Sequence, residues 1–297
     1  MRLPLPTLAA FAPAKVNLFL HVGGPDAEGY HPISSLMVFA DVGDQVAIQP
    51  SDAPAFETTG PFGGAIPGDG DNLVVRAARA LDARLGGPVP PYRLVLDKRL
   101  PIAAGLGGGS SDAGARPEAA ARPLGPWSFP MTSLSRWPPA WARTARPRLR
   151  ARALMAEGRG EILSSAPALP ELNAVLVNPG APSPTGAVYR AYDAAAHPDG
   201  AERPFLPSDL ESAEEVAAWL TVATRNDLEA PAVALEPRIG EVCWTSCARS
   251  PKVCWSGCRA SGATCPLFRA GDIEAETPAE RLETMRPDWW VRRCRLS

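Results

Sequence analysis

Short runs rich in apolar residues lie at 15–22, 35–39, 45–49 and 92–96, each bounded by Gly, Pro or Asp. Runs of that length and punctuation predict β-strands. Between them the spacing changes. Leu73, Ala77, Ala80, Leu81 and Leu85 recur at helical intervals behind Asp71-Asn72, and Gly86-Gly87 supply a stop, so a helix is predicted over 73–85. Pattern returns at 153–163, a strand-like run follows at 174–178, and 275–285 reads as a helix despite Pro278. Strands mixed with helices, rather than strictly alternating with them, predict an α+β fold.

Two stretches carry no such pattern. Residues 116–152 hold eight Arg, seven Pro and three Trp, with neither a 3.6-residue nor a two-residue period. Residues 243–259 concentrate four of the six Cys: Cys243, Cys247, Cys254 and Cys258. Their spacing is not a familiar zinc pattern, and of zinc, disulfide and accident we read accident; disulfides are not expected in a cytoplasmic chain. GC-rich codons read out of frame yield Arg, Pro, Ala, Trp and Cys. Both stretches therefore read as translated in a shifted frame and then restored.

Length and charge narrow the classes. A chain of 297 residues is long for one domain and suggests two. Its 30 basic and 32 acidic residues nearly balance, which argues against a nucleic-acid or membrane-surface protein. No apolar run is long enough to span a bilayer, and the first ten residues show no cleavage-site pattern, so a cytoplasmic protein is expected. Basic residues comprise 27 Arg and only three Lys, which makes Lys15, Lys98 and Lys252 each worth examining.

The richest chemistry lies in one loop. Pro101, Ile102, Ala103, Ala104, Gly105, Leu106, Gly107, Gly108, Gly109, Ser110 and Ser111 follow a predicted strand and should open a helix. Consecutive glycines let backbone N–H groups approach a ligand, and a helix N-terminus with hydroxyls favours a phosphate. No Gly-Lys-Ser/Thr follows the glycines, and no dinucleotide-binding frame surrounds them. Taken alone, the loop also fits a flexible Gly-rich turn with a Ser cap.

Residues 13–20 (Pro-Ala-Lys-Val-Asn-Leu-Phe-Leu), with Gly29-Tyr30-His31 after them, resemble the first motif of the GHMP small-molecule kinases. Residues 101–111 are similar to that superfamily's second, ATP-binding motif, and Ser261-Gly262-Ala263-Thr264-Cys265 to the tail of its third. Asp71-Asn72-Leu73, Asn178-Pro179-Gly180, Pro184-Thr185-Gly186 and Arg225-Asn226-Asp227-Leu228 also match the branch that phosphorylates a cytidine-diphosphate-linked methylerythritol.

The resemblance implies transfer of the ATP γ-phosphoryl group to the 2-hydroxyl of that small molecule, in the non-mevalonate isoprenoid pathway, with Mg²⁺ offsetting phosphate charge. Lys15 would be the catalytic Lys, and residues 101–111 with Asn72 would hold ATP. Asn17, Tyr30, His31, Thr185 and Tyr189 would hold the substrate, Tyr30 and Tyr189 by sandwiching the cytosine and His31 through its ring nitrogens. Each residue also has an ordinary reading: Lys15 as a surface lysine, Tyr30-His31 as a loop pair, Tyr189 as a core aromatic, Asn17 as a strand-end residue and Asn72 as a helix cap. No resident metal site is expected in the protein itself.

One family residue is missing. The catalytic Asp should precede Ala156-Glu157-Gly158, but no Asp occurs between Asp112 and Asp193, and Arg143 to Arg148 stand in its place. A catalytically impaired nucleotide-binding remnant is therefore a second reading, and a GHMP kinase with another small substrate a third. The expected architecture is a two-domain GHMP-kinase fold. Residues 1–165 form a mixed α/β domain and 166–297 a ferredoxin-like domain, in a monomer or homodimer that binds neither nucleic acid nor membrane.

Overall fold

Two long strands, β1 (Leu8–Val22) and β2 (Ile33–Pro50), pair with each other, and each contributes to two compact units. The structure, a computed structural model, describes residues 8–66, 72–85, 91–120, 153–195, 200–248, 253–256, 263–269 and 278–297. One unit comprises Met1–Ala14, Gly43–Ile102 and Gly107–Arg150; the other comprises Lys15–Val42, Ala103–Leu106 and Ala151–Ser297. The units interleave along the chain, so neither coincides with residues 1–165 or 166–297.

In the first unit β3 (Ala55–Thr59) runs parallel to β4 (Tyr92–Asp97). Parallel neighbours need a crossover, and α1 (Leu73–Leu85) lies between them in the chain. β4 is antiparallel to residues 45–50 of β2. The helix predicted over 73–85 is present, but its buried face differs. Val74, Ala77 and Ala78 are buried, whereas Leu73 is 42% exposed and Ala80 is exposed. Five of the six residues 73–78 are apolar, so spacing reveals the period without fixing the phase. Val74 and Ala78 join Leu94, Leu96 and Ala115, the last on α2 (Gly108–Ala120), in one core.

The runs predicted at 35–39 and 45–49 are halves of a single strand. Gly43, read as punctuation, lies inside β2. A Cβ there would fall 2.1 Å from the Ala12 carbonyl oxygen, so glycine allows the β1 backbone to approach.

The second unit contains β7 (Leu172–Asn178), β8 (Val253–Ser256), β9 (Cys265–Arg269) and β10 (Trp290–Leu296), in spatial order β10-β7-β9-β8 and antiparallel throughout. Among the described residues, four helices separate β7 from β8: α3 (Thr185–Asp193), α4 (Ala213–Ala223), α5 (Glu229–Leu235) and α6 (Pro237–Ala248). Between β9 and β10 stands α7 (Pro278–Met285). This order and connection are ferredoxin-like. Pro278 occupies the first helical position, where its missing N–H leaves no bond unmade. β5 (Leu154–Gly158) and β6 (Ile162–Ser165) form a hairpin paired to residues 33–37 of β2. Val177, Leu228, Ile239 and Val291 lie in the second core.

Candidate active site

The glycine loop follows β4 and opens α2 at Gly108, as its sequence predicts. Ala103, Gly105 and Gly107 have positive φ of 54°, 77° and 63°. Alternation of this kind turns successive N–H groups to one side, but at Ala103 it is a conformation that non-glycine residues seldom adopt. Two backbone bonds pin the loop's middle: Lys15 N–H donates to the Leu106 carbonyl at 2.8 Å, and Thr264 N–H to the Ala104 carbonyl at 3.2 Å. Thr264 is held in turn by Asn178, whose Nδ2 donates to its Oγ1 at 3.0 Å.

Ser110 is half-exposed at the start of α2, whereas Ser111 is buried and donates its hydroxyl to the Pro13 carbonyl at 2.8 Å. The Ser111 proton thus ties α2 to β1. Asn72 caps α1, its Oδ1 accepting from Val74 N–H at 2.8 Å.

Three charges lie beneath the first turn of α2. Lys98 Nζ is 2.6 Å from Asp44 Oδ2 and 2.8 Å from Asp112 Oδ2. Asp44 Oδ1 also accepts from the N–H groups of Arg99 and Leu100, at 2.6 and 2.8 Å. Oδ1 of Asp112 is buried with no hydrogen-bond partner among the described residues. Burial raises the Asp112 pKa to about 7; the pull of Lys98 opposes this rise, and repulsion from Asp44 adds to it. Burial works against the Lys98 charge too, but attraction to Asp112 and Asp44 outweighs it and holds that pKa above its ordinary value. A Cβ on Gly108 would stand 2.8 Å from Lys98 Nζ. This glycine makes room for an ammonium below it, a constraint separate from any ligand.

Lys15 and Asn17 share β1. Lys15 Nζ donates to Asn17 Oδ1 at 3.0 Å and makes no ion pair among the described residues. Desolvation lowers the Lys15 pKa to about 8. Asn17 is 6% exposed, so its oxygen is committed to orienting the ammonium.

The other expected substrate residues lie in the same unit. The His31 ring is 4.9 Å from that of Tyr189, tilted by 33°, and meets Tyr192 edge-on at 5.9 Å. Both His31 ring nitrogens face protein acceptors, Nδ1 the Gly23 carbonyl at 2.9 Å and Nε2 the Asp193 carboxylate at 3.3 Å. A ligand using Nε2 would have to exchange for Asp193. Burial pushes the Tyr189 phenol up to about 12. Thr185 begins α3, and Tyr30 is 51% exposed, with the Arg159 guanidinium 4.3 Å from its ring centre.

Sequence reasoning gives several residues no site role, although Arg225 and Asp227 lie in a matched motif and Lys98 is one of only three lysines. Arg225 and Asp227 form a clasp on β1: Asp227 accepts from Val22 N–H at 2.7 Å and from Arg225 Nε at 2.7 Å, while Arg225 N–H donates to His21 Nε2 at 3.2 Å. Lys98, Asp44, Asp112, Thr264 and Arg159 had only residue type or motif membership as a signal. Cys265 is disulfide-bonded, contrary to the expectation of reduced thiols; sequence spacing does not reveal which cysteines approach in space. The segment from Arg143 to Arg148, where the family Asp is missing, lies outside the described residues, as do residues 257–262.

The family described as GHMP kinases N terminal domain matches residues 72–131. The 4-diphosphocytidyl-2-C-methyl-D-erythritol kinase of Caulobacter vibrioides is 69% identical, over 98% of this chain and 99% of its own. The enzyme of that name from Cereibacter sphaeroides is 42% identical, over 97% of this chain and 99% of its own. Among solved structures, a 4-(cytidine 5'-diphospho)-2C-methyl-D-erythritol kinase aligns with a TM-score of 0.71 at 30% identity, covering 97% of this chain and 99% of that one. The Methanococcus jannaschii mevalonate kinase, at 12% identity and a TM-score of 0.65 over all of both chains, shares the fold.

Proposed function

The chain belongs to the 4-diphosphocytidyl-2-C-methyl-D-erythritol kinases of the GHMP kinase superfamily, and from that membership we propose how its residues carry out the reaction. The enzyme is an ATP-dependent small-molecule kinase of the non-mevalonate isoprenoid pathway. ATP donates its γ-phosphoryl group to the 2-hydroxyl of a cytidine-diphosphate-linked methylerythritol. The N–H groups of residues 103–110 and the N-terminus of α2 cradle the phosphates, with Asn72 beside the nucleotide. Lys15, oriented by Asn17, places an ammonium at the acceptor hydroxyl, stabilising the charge that develops there. Tyr30, His31, Thr185 and Tyr189 hold the cytidine end.

The observation that carries this reading is the 2.8 Å bond from Lys15 N–H to the Leu106 carbonyl, which joins the catalytic strand to the phosphate loop. Magnesium fits as a companion of the nucleotide: Ser110 offers a half-exposed hydroxyl at the start of α2, and a hard cation needs few protein ligands when phosphates supply the rest. It offsets phosphate charge when bound. Among the described residues no helix is long and apolar enough to cross a membrane. We place the enzyme in the cytoplasm, as a monomer or homodimer.

Lys15→Ala should abolish transfer while leaving ATP affinity nearly unchanged, measured by substrate-dependent ADP release and by calorimetry; unchanged turnover would remove the assignment. Because its pKa is lowered to about 8, Lys15 loses its charge as pH rises through that value, and kcat should fall there. A catalytically impaired remnant stands as the second reading on one observation, the lack of any Asp between Asp112 and Asp193. Activity in a chain with residues 116–152 and 243–259 rebuilt from the alternative frames, set against none in the chain as it stands, would favour that reading.

A further inference from the structure

Tyr30 presents its ring from an unusually well-tied turn. Asp26 N–H donates to the Tyr30 carbonyl at 2.7 Å, Asp26 Oδ1 accepts from Tyr30 N–H at 3.0 Å and Glu28 N–H at 2.9 Å, and Gly29 N–H returns to the Asp26 carbonyl at 2.9 Å. Gly29, with φ of +79°, permits the reversal. The backbone on both sides of Tyr30 is therefore fixed, yet the side chain is half-open to solvent.

Arg159 reaches this turn from the β5–β6 connection, between Gly158 and Gly160, both with positive φ. Its Nε and one terminal nitrogen donate to Asp26 Oδ2 at 2.9 and 2.6 Å, and the other terminal nitrogen donates to Glu28 Oε2 at 2.6 Å. Three N–H groups engaged with two carboxylates leave the guanidinium little freedom to rotate. It lies over one face of Tyr30 with its carbon 4.3 Å from the ring centre.

We propose that Arg159 is a positioning residue for the substrate: it backs one face of Tyr30 and so holds the opposite face ready to stack on a pyrimidine. This rests on the reading of Tyr30 as a base platform. A free tyrosine ring loses rotational freedom when a base stacks on it, and a ring already braced loses less, so bracing emerges as affinity. Lysine could supply the charge but not the planar fork that meets two carboxylates and an aromatic face together.

The test is calorimetric binding of cytidine 5'-diphosphate to the full chain with the nucleotide site saturated by ADP, which needs no turnover. Arg159→Met, which keeps a long apolar stem, should weaken binding about three- to fivefold. Arg159→Lys should show the same loss, and ADP affinity should not change in either variant. Tyr30→Leu should weaken binding about tenfold, and adding Arg159→Met to it should bring little further loss. Unchanged affinity in Arg159→Met, or the same loss with and without the tyrosine ring, would overturn the inference while the base platform stood. No cytidine diphosphate binding by the parent chain, or none lost in Tyr30→Leu, would remove the platform reading and the inference with it.

Discussion

Lys98 and Arg159 each hold two carboxylates, yet the two clusters behave in opposite ways. The Lys98 side chain is 5% exposed, and its partners Asp44 and Asp112 are 0% and 2% exposed. Arg159 is 27% exposed, with Asp26 at 36% and Glu28 at 69%. The stoichiometry is the same, one cation to two anions. In the buried cluster Asp112 is raised to about 7, chiefly by burial. In the exposed one Asp26 is held below its ordinary value, first by the Tyr30 N–H and then by Arg159. Water screens the surplus charge in one case and is excluded in the other, so solvent access, rather than the roster of charges, sets the sign.

Removing the cation separates the clusters most sharply. Lys98→Met leaves Asp44 and Asp112 facing each other without their shared cation and should cost about 3–5 kcal/mol of stability, read from urea unfolding. A loss no larger than that of Arg159→Met would erase the distinction. Gly108→Ala drives a methyl group into the space held by Lys98 Nζ and should cost about 1–3 kcal/mol, with weaker nucleotide binding measured alongside.

The pH dependence tests the same difference by another route. In the folded chain the Asp112 pKa is raised from 3.8, so the native state holds this proton more readily than the unfolded state. That contribution is fully present below 3.8 and is lost as pH rises through about 7. Asp112→Asn keeps the shape without the titration, so the parent chain should lose stability relative to this variant across that window. Parallel curves of urea midpoint against pH would contradict it. The smallest effect belongs to Arg159→Met, whose thermal midpoint should match that of the parent chain, because water takes over both carboxylates.

Much of the fold is legible in the linear chain. The strand–glycine–serine–helix order at 92–120, the helix over 73–85 and the α+β class all rest on local chemistry: backbone freedom at glycine, capping by Asn72, and periodic burial. Phase and continuity are not legible there. Leu73 and Val74 are equally apolar, and only the opposing core selects Val74. Gly43 looks like a break until Ala12 lies against it.

The side-chain types needed for phosphate binding, and the Lys15 motif beside them, are properties of the linear chain, because each depends on residues adjacent in sequence. The Lys98 cluster is different, since its carboxylates come from 54 and 14 residues away. The contact between Arg159 and Asp26 spans 133 residues. Charge state, hydrogen-bond partner and exposed ring face follow from which distant groups meet and how much water stays between them. Only folding decides that, because the energy of a charge depends on its surroundings far more than on its neighbours along the chain.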